Sequence, residues 1–440
     1  MLFSNRDLKK LILPLLVEQL LAVSVGMIDI IMVSSVGETA VSGVSLVDTI
    51  GVLIIYMLSA LATGGAVISA QHLGRKDNDG ANMAANQLLL STTVLSIVIM
   101  AAALLARRPL LNLIFGNVEP AIMQDALTYF QITALSYPFL AIYNSCAALY
   151  RSMGNSKVSM KTSILMNGIN IVGNAICVYG LHMGVAGVAW PTLLSRAVAA
   201  LCMLLLIKNP QNTIHIDEHF RLGFHPAVIR KIFSIGIPNG LENAMFQLGK
   251  ILVASLIATF GTTAIAANAV SNTVATFQII PGSAIGLAVI TVVGQCAGAG
   301  DYQQARHYTK KLLKVTHLGL LGLNLLIVLV MPFILKLYSL SSATGELARQ
   351  ILIFHAVACT VIWPSAFILP NALRASSDIK FTMVTSILSM WLCRIAMSYV
   401  LGKYLGLGVF GVWVAMVLDW VVRAICFWVR YRGAKWQHQV

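Results

Sequence analysis

Few residues in this chain could do chemistry, and the foremost is Asp29. It stands in GMIDIIMVSS (26–35) among apolar neighbours, with no residue of opposite charge nearby in sequence. A carboxylate removed from water can exchange a proton or be neutralised by a bound cation, and either behaviour suits a site that couples an ion to other work. The plainer alternative is a carboxylate tied down by hydroxyls and amides as helix-packing glue. Glu18, Ala22, Val25 and Asp29 fall at i, i+4, i+7 and i+11, one stripe on one helical face. Glu18 therefore faces the same way as Asp29 and could act as a proton relay, or it could satisfy backbone groups freed by the bend at Pro14. Asn170 and Asn174 lie at i, i+4 and share a face, with Asn167 nearby. Lys250 lies deep in the apolar run QLGKILVASL (247–256). A lysine there can line a cavity, pair with an acid or snorkel toward water; facing a cavity, it would leave room for zwitterionic or anionic cargo. Asp419 and Arg423 at i, i+4 are expected to pair, and Arg196 and Arg394 are read as ordering helix packing.

The elements that must position these groups are membrane helices. Of the 440 residues, 58% are hydrophobic and only 10% charged, and the mean hydropathy is +0.83. Soluble domains carry about 25% charged residues. Apolar stretches long enough to cross a hydrocarbon core of about 30 Å recur from end to end. They predict twelve spans, at 8–36, 45–73, 84–107, 125–150, 160–181, 186–208, 228–259, 268–296, 309–332, 347–372, 381–402 and 408–430. The first run is too long for a signal-peptide core and lacks a small-residue cleavage site, so it reads as a mature helix. The seven cysteines lie in apolar segments without CxxC or Cys/His clustering, which implies neither disulfide nor metal.

A formal charge of +14 could suggest nucleic-acid binding, but the placement of the charges explains it otherwise. The side holding the N-terminus and every second connection carries 21 of the lysines and arginines, from Arg6 to Lys435, and the other side only Arg107, Arg108, Lys336, Arg349 and Lys403. The positive-inside rule then puts both termini in the cytoplasm and predicts a multi-pass protein of the inner (plasma) membrane. No nucleic-acid partner is implied.

The two halves align without a gap at an offset of 224 residues. Pro14 and Glu18 match Pro238 and Glu242; Gly37, Thr39, Ala40 and Thr49 match Gly261, Thr263, Ala264 and Thr273; Gln71, Gly74, Asp77 and Ala81 match Gln295, Gly298, Asp301 and Ala305. Arg151 and Lys157 match Arg374 and Lys380 with one residue less. Six spans per repeat is an even number, so both halves insert with the same orientation and relate by an axis along the membrane normal. The expected organisation is an N-terminal six-helix lobe (1–207), a cytoplasmic linker (208–230) and a C-terminal six-helix lobe (231–440), with substrate bound between lobes that rock to give alternating access.

These features together resemble the multidrug and toxic compound extrusion (MATE) transporters of bacterial type. The likeness lies in the P-x-x-x-E start of the first helix, MIDIIMVSSVGETAVSGV, AQHLGRKD and GQCAGAGD after the second and eighth helices, NGINIVGN, GVAGVAWPT and RYRGAKW. The resemblance implies export of amphipathic or cationic organic compounds against inward H⁺ or Na⁺, without a cofactor and by a single chain embedded in lipid. It also implies that the ion site of the N-terminal lobe comprises Asp29, Asn170, Asn174 and Thr192. Many members have an acid where this chain has Asn174, so Asp29 is expected to be the one acid of that site. Oxygen ligands with a single charge suit Na⁺ and equally suit one titrating proton. The tenth span has no acid, and Glu242 lies early in the seventh, so no ion site is transferred to the C-terminal lobe.

Candidates for the substrate cavity are Met27, Tyr137, Tyr143, Glu242, Gln247, Lys250, Asn268, Asn272 and Gln278, a mixture of adaptable apolar and polar side chains suited to loose selectivity. A related flippase for lipid-linked saccharides would be expected to show a strongly cationic lumen. An exporter of one specific metabolite is a further alternative. Against a membrane enzyme stand the lack of HExxH, of a P-loop and of a Gly-rich nucleotide turn; against a fixed pore stands the repeat, with prolines in the first helix of each lobe.

Overall fold

Hydrocarbon offers the backbone no hydrogen bonds, so an apolar chain of this kind must satisfy its polar groups within each segment, and helices do so. The computed structural model describes residues 2–116, 118–216, 223–338 and 340–437, and every regular element among them is helical. The helices are α1 (Asn5–Ser34), α2 (Glu38–Gly74), α3 (Asn78–Phe115), α4 (Pro120–Ala134), α5 (Tyr137–Ser152), α6 (Ser156–Ala175), α7 (Ala186–Ile207) and α8 (Pro226–Ala258). They continue with α9 (Thr262–Gln278), α10 (Ile280–Gly298), α11 (Tyr302–Leu337), α12 (Ser342–Val361), α13 (Leu369–Ala375), α14 (Ile379–Ser389) and α15 (Gly408–Arg432). A π-helical turn, Ile176–Gly180, prolongs α6; another, Pro364–Ile368, precedes α13; two more, Met390–Ala396 and Tyr399–Tyr404, follow α14.

Among the described residues ten helices are long and apolar enough to cross a membrane, and the bent pairs α4/α5 and α12/α13 bring the number to twelve. The all-helical, twelve-span architecture is thus the one expected, but three spans break where the sequence reading ran them straight. The span 125–150 bends by 47° between α4 and α5, and 347–372 by 57° after α12. Pro138 and Pro364 open the segments that follow, and proline can neither donate to the preceding turn nor avoid its carbonyl. The span 268–296 divides at Ile279, just before Pro281; its counterpart α2 has Met57 at the matching position and runs through.

Backbone geometry repeats with the sequence. Positive φ recurs at Gly37 and Gly261, at Lys76 and Gly300, and at Gly184 and Gly408, each pair separated by the same offset of 224. Gly184 and Gly408, at φ 63° and 57°, occupy left-handed turns that cost a residue with Cβ roughly 1–2 kcal/mol. Asp77 and Asp301 cap α3 and α11 alike, each accepting a hydrogen bond at 2.9 Å, from the Gly80 and Gln304 N–H respectively.

Contacts divide the chain into two compact units: Asn5–Gly240, and Leu241–Val440 together with the residues up to Ser4. The division falls inside α8; of the expected linker at 208–230, residues 217–222, Arg221 among them, lie outside the described residues. Within the N-terminal unit α1 packs on α6, α2 on α5, α3 and α4, and α6 on α7. Small residues permit this closeness: a Cβ at Gly43 of α2 would stand 2.9 Å from the Ala126 nitrogen of α4. Gln87 ties down the polar connection, donating to the Gly223 carbonyl at 2.8 Å and accepting from the His225 N–H at 3.0 Å. In the C-terminal unit α10 packs on α11 and α13, and α9 on α12. The Tyr308 hydroxyl of α11 accepts from the Phe3 N–H at 2.9 Å and donates to the Phe3 carbonyl at 2.7 Å.

Candidate functional site

In the N-terminal unit α1 carries Asp29, α6 carries Asn170 and Asn174 one turn apart, and α7 carries Thr192 directly after Pro191. Asn174 Nδ2 donates to Asp29 Oδ1 at 2.9 Å and to Asn170 Oδ1 at 3.3 Å; Asn170 Nδ2 donates to Thr192 Oγ1 at 3.1 Å. The Thr192 hydroxyl donates to the Val188 carbonyl at 3.0 Å. The structure brings all four residues into one hydrogen-bonded chain. Asn174 is fully buried, and its Oδ1 has no hydrogen-bond partner among the described residues. An orphaned buried acceptor is costly, on the order of 1–3 kcal/mol, and a cation or a bound donor beside Asp29 would relieve it. Asn167 is not part of that chain and donates to Ser163 Oγ at 3.2 Å.

A second acid, bonded to none of these four residues among the described contacts, acts on this region. Asp48 of α2 accepts from the Tyr129 hydroxyl at 3.4 Å, and the charges of both Asp48 and Arg196 act on Asp29. Arg196 of α7 donates to Ser136 Oγ at 2.7 Å. Asp48 was legible by the test that picked out Asp29, an acid inside an expected span, but α2 lies far from α6 and α7 in sequence. Tyr137 and Tyr143 are enclosed in the packing of α5, 2% and 6% exposed, and Met27 of α1 is half-buried.

The two glutamates that follow the helix prolines take the same kind of partner. Glu18 lies 3.5 Å from Arg151 and accepts from Ser159 Oγ at 3.0 Å. Glu242 accepts from Arg374 Nη2 through both oxygens, at 2.7 and 2.6 Å, while Arg374 Nη1 donates to Asn371 at 2.7 Å. Arginines at repeat-related positions hold both carboxylates, where the sequence suggested freed backbone groups. Glu242 therefore stands in an ion pair and outside the wall of the cavity described next.

That cavity, of about 290 Å³, lies inside the C-terminal unit, and Lys250, Asn268, Asn272, Arg394, Trp413 and Met416 are in its wall. Three of the expected cavity residues, Lys250, Asn268 and Asn272, are thus brought together. Gln247 is half-buried outside this wall, and Gln278 is fully buried at the α9/α10 break, bonded to His355 Nδ1 at 2.6 Å. The ring of His355 lies against Trp413 and Trp420. Arg394, read from the sequence as a packing residue, stands in the wall because it belongs to the π-helical turn Met390–Ala396. A π turn shifts the angular register, so counting by 3.6 residues aims the side chain wrongly. The Phe246 ring gathers cations: Lys250 Nζ and the Arg394 guanidinium each lie 5.1 Å from its centroid, contacts worth about 0.5–2 kcal/mol. Arg423 pairs with Asp419 at 2.8 Å as expected, and Ser389 donates to the same carboxylate at 2.6 Å.

A family model, MatE, matches residues 14–176 and again 238–400. The chain belongs to the MATE family. The two matched segments stand at the offset of the repeat read from the sequence. Among its relatives, an uncharacterised transporter, YisQ, of Bacillus subtilis is 28% identical over 96% of this chain and 93% of its own. A probable multidrug resistance protein NorM of Thermotoga maritima is 24% identical over 98% of this chain and 93% of its own. A solved structure described as the outward-facing conformation of a multidrug resistance MATE family transporter has a TM-score of 0.88 at 20% identity, covering 97% of this chain and 94% of that one. At that identity the likeness shows the fold. MATE proteins are ion-coupled transporters of small organic compounds and not enzymes, and this one is a multi-pass membrane protein.

Proposed function

We propose that this MATE protein exports amphipathic organic compounds, multidrug fashion, in exchange for inward H⁺ or Na⁺. It would act as a single chain in the inner (plasma) membrane, with both termini cytoplasmic and alternating access between the two faces. The observation that carries the coupling is the chain from Asp29 through Asn174 and Asn170 to Thr192, which contains an orphaned acceptor at Asn174 Oδ1. A proton on Asp29, or Na⁺ among these oxygens, would remove the unpaired charge and the orphan together. A carboxylate at bilayer depth costs a few kcal/mol, so occupancy of this one site can bias a two-state transporter appreciably. The names of the relatives, multidrug resistance proteins among them, support broad amphipathic cargo.

The test is gradient-driven dye export in proteoliposomes, with the Na⁺ and H⁺ gradients imposed separately. Wild type should respond to one of them, and Asp29→Asn should fall to the rate seen without a gradient while keeping the elution profile of the folded protein. Undiminished driven export by that variant would sink the coupling role.

A further inference from the structure

Four cations in the helices of the C-terminal unit fall into two kinds. Arg374 has Glu242 and Arg423 has Asp419, as groups kept for structure should. Lys250 and Arg394 form no ion pair among the described residues, and both stand in the wall of the 290 Å³ cavity, where no acid lines the space. They share one ring face-neighbour, Phe246, and their like charges repel each other, while Asp419, already paired with Arg423, also acts on Arg394. An anion between them would turn that repulsion into two attractions. The amide of Asn268 is set for the same purpose: its Oδ1 is taken up by the Trp413 indole N–H at 3.1 Å, which leaves its NH₂ as the donor. Val253, Ile257, Val412, Trp413 and Met416 give the wall an apolar side, beside the polar Asn272 and Thr276, a surface for a compact apolar body.

We infer that this cavity is a binding site for the carboxylate end of a compact aromatic amphiphile, with Lys250 and Arg394 as the charged contacts and Asn268 as a further donor. The inference rests on the exporter reading above and narrows its cargo to organic anions or zwitterions.

Calorimetric titration of the full-length protein in a neutral detergent tests it, with three probes of one shape: 1-naphthaleneacetate, its methyl ester, and 1-naphthylethylamine. Charge-assisted hydrogen bonds to two cations should make the carboxylate bind at least about tenfold tighter than the ester, and the amine weakest. Lys250→Met and Arg394→Met should each remove most of that preference, and Lys250→Arg should retain it, which separates charge from folding. Displacement of the naphthaleneacetate by added phosphatidylglycerol but not phosphatidylcholine would assign the same anion site to lipid headgroups; indifference to both would assign it to soluble cargo. Equal affinity for carboxylate and ester, or tighter binding of the amine, would overturn the inference. Since no gradient enters the titration, its failure leaves the coupling role of Asp29 intact, and loss of driven export leaves the carboxylate preference intact.

Discussion

In the N-terminal unit a carboxylate and amides are strung from Asp29 to Thr192, with Asp48 and Arg196 in the same region; in the C-terminal unit, beside the ion pairs of Glu242 and Asp419, a lysine and an arginine stand in the wall of a cavity. Both units start from a helix with a proline and a glutamate four residues on, both turn with positive φ at the same places, and both cap their third long span with an aspartate. The shared backbone plan therefore does not dictate the chemistry. A few side chains do, and they suggest a division of work in which one unit answers to the coupling ion and the other to the cargo.

The comparison can be broken most forcefully at the buried ions of the C-terminal unit. Asp419→Asn would leave Arg423, 3% exposed, without its partner, and thermal unfolding in detergent should report a loss of about 3–5 kcal/mol. Lys250→Met loses the Phe246 contact but also the repulsion from Arg394, leaves no acid orphaned, and should shift stability by less than about 1 kcal/mol; a loss as large as that of Asp419→Asn would make Lys250 structural. The repeated glutamates give the next contrast. Glu242→Gln breaks a close two-oxygen contact and should cost about 2 kcal/mol, against about 1 kcal/mol for Glu18→Gln at its longer 3.5 Å pair. Equal losses would mean that the two pairs are interchangeable.

Within the N-terminal site, Asn174→Ala deprives Asp29 of its amide donor and should slow driven export about tenfold, equivalent to about 1.4 kcal/mol, in the proteoliposome assay. An unchanged rate would remove Asn174 from the site. The smallest effect belongs to the caps. The Gly80 N–H and the His72 ring hold the Asp77 carboxyl below its ordinary range, and the Gln304 backbone and side chain do the same for Asp301. Their stabilisation is present above the unfolded carboxylate value, about 3.9, and is lost as pH falls through the lower folded values. Stability of Asp77→Ala and Asp301→Ala should accordingly fall off less steeply with acidification than that of wild type.

The spans were legible because hydrocarbon demands long apolar helices, and the repeat because Pro14, Glu18, Gly37 and Asp77 have partners in register. Helical spacing was enough to place Asn170 and Asn174 on one face, and the family resemblance to join them to Asp29 and Thr192. Contacts between helices distant in sequence were not legible: Asp48 reaches the region of Asp29 from α2, and Arg151 meets Glu18 from α5. Departures from α-helical register hid Arg394, whose direction follows from a π turn, and proline breaks took Gln278 out of a continuous span and into the packing against His355. Tyr137 and Tyr143 show the limit from the other side, since an aromatic in an apolar helix carries no mark of whether it lines a cavity or fills the core.

The division of work is tested most directly by driven export of 1-naphthaleneacetate and its methyl ester measured together in the same proteoliposomes. Asp29→Asn should lower both rates to the level without a gradient, leaving their ratio without a driven component, whereas Lys250→Met should lower the ratio of carboxylate to ester under the gradient. A Lys250→Met protein with the wild-type ratio, or an Asp29→Asn protein that still drives either compound, would contradict the account.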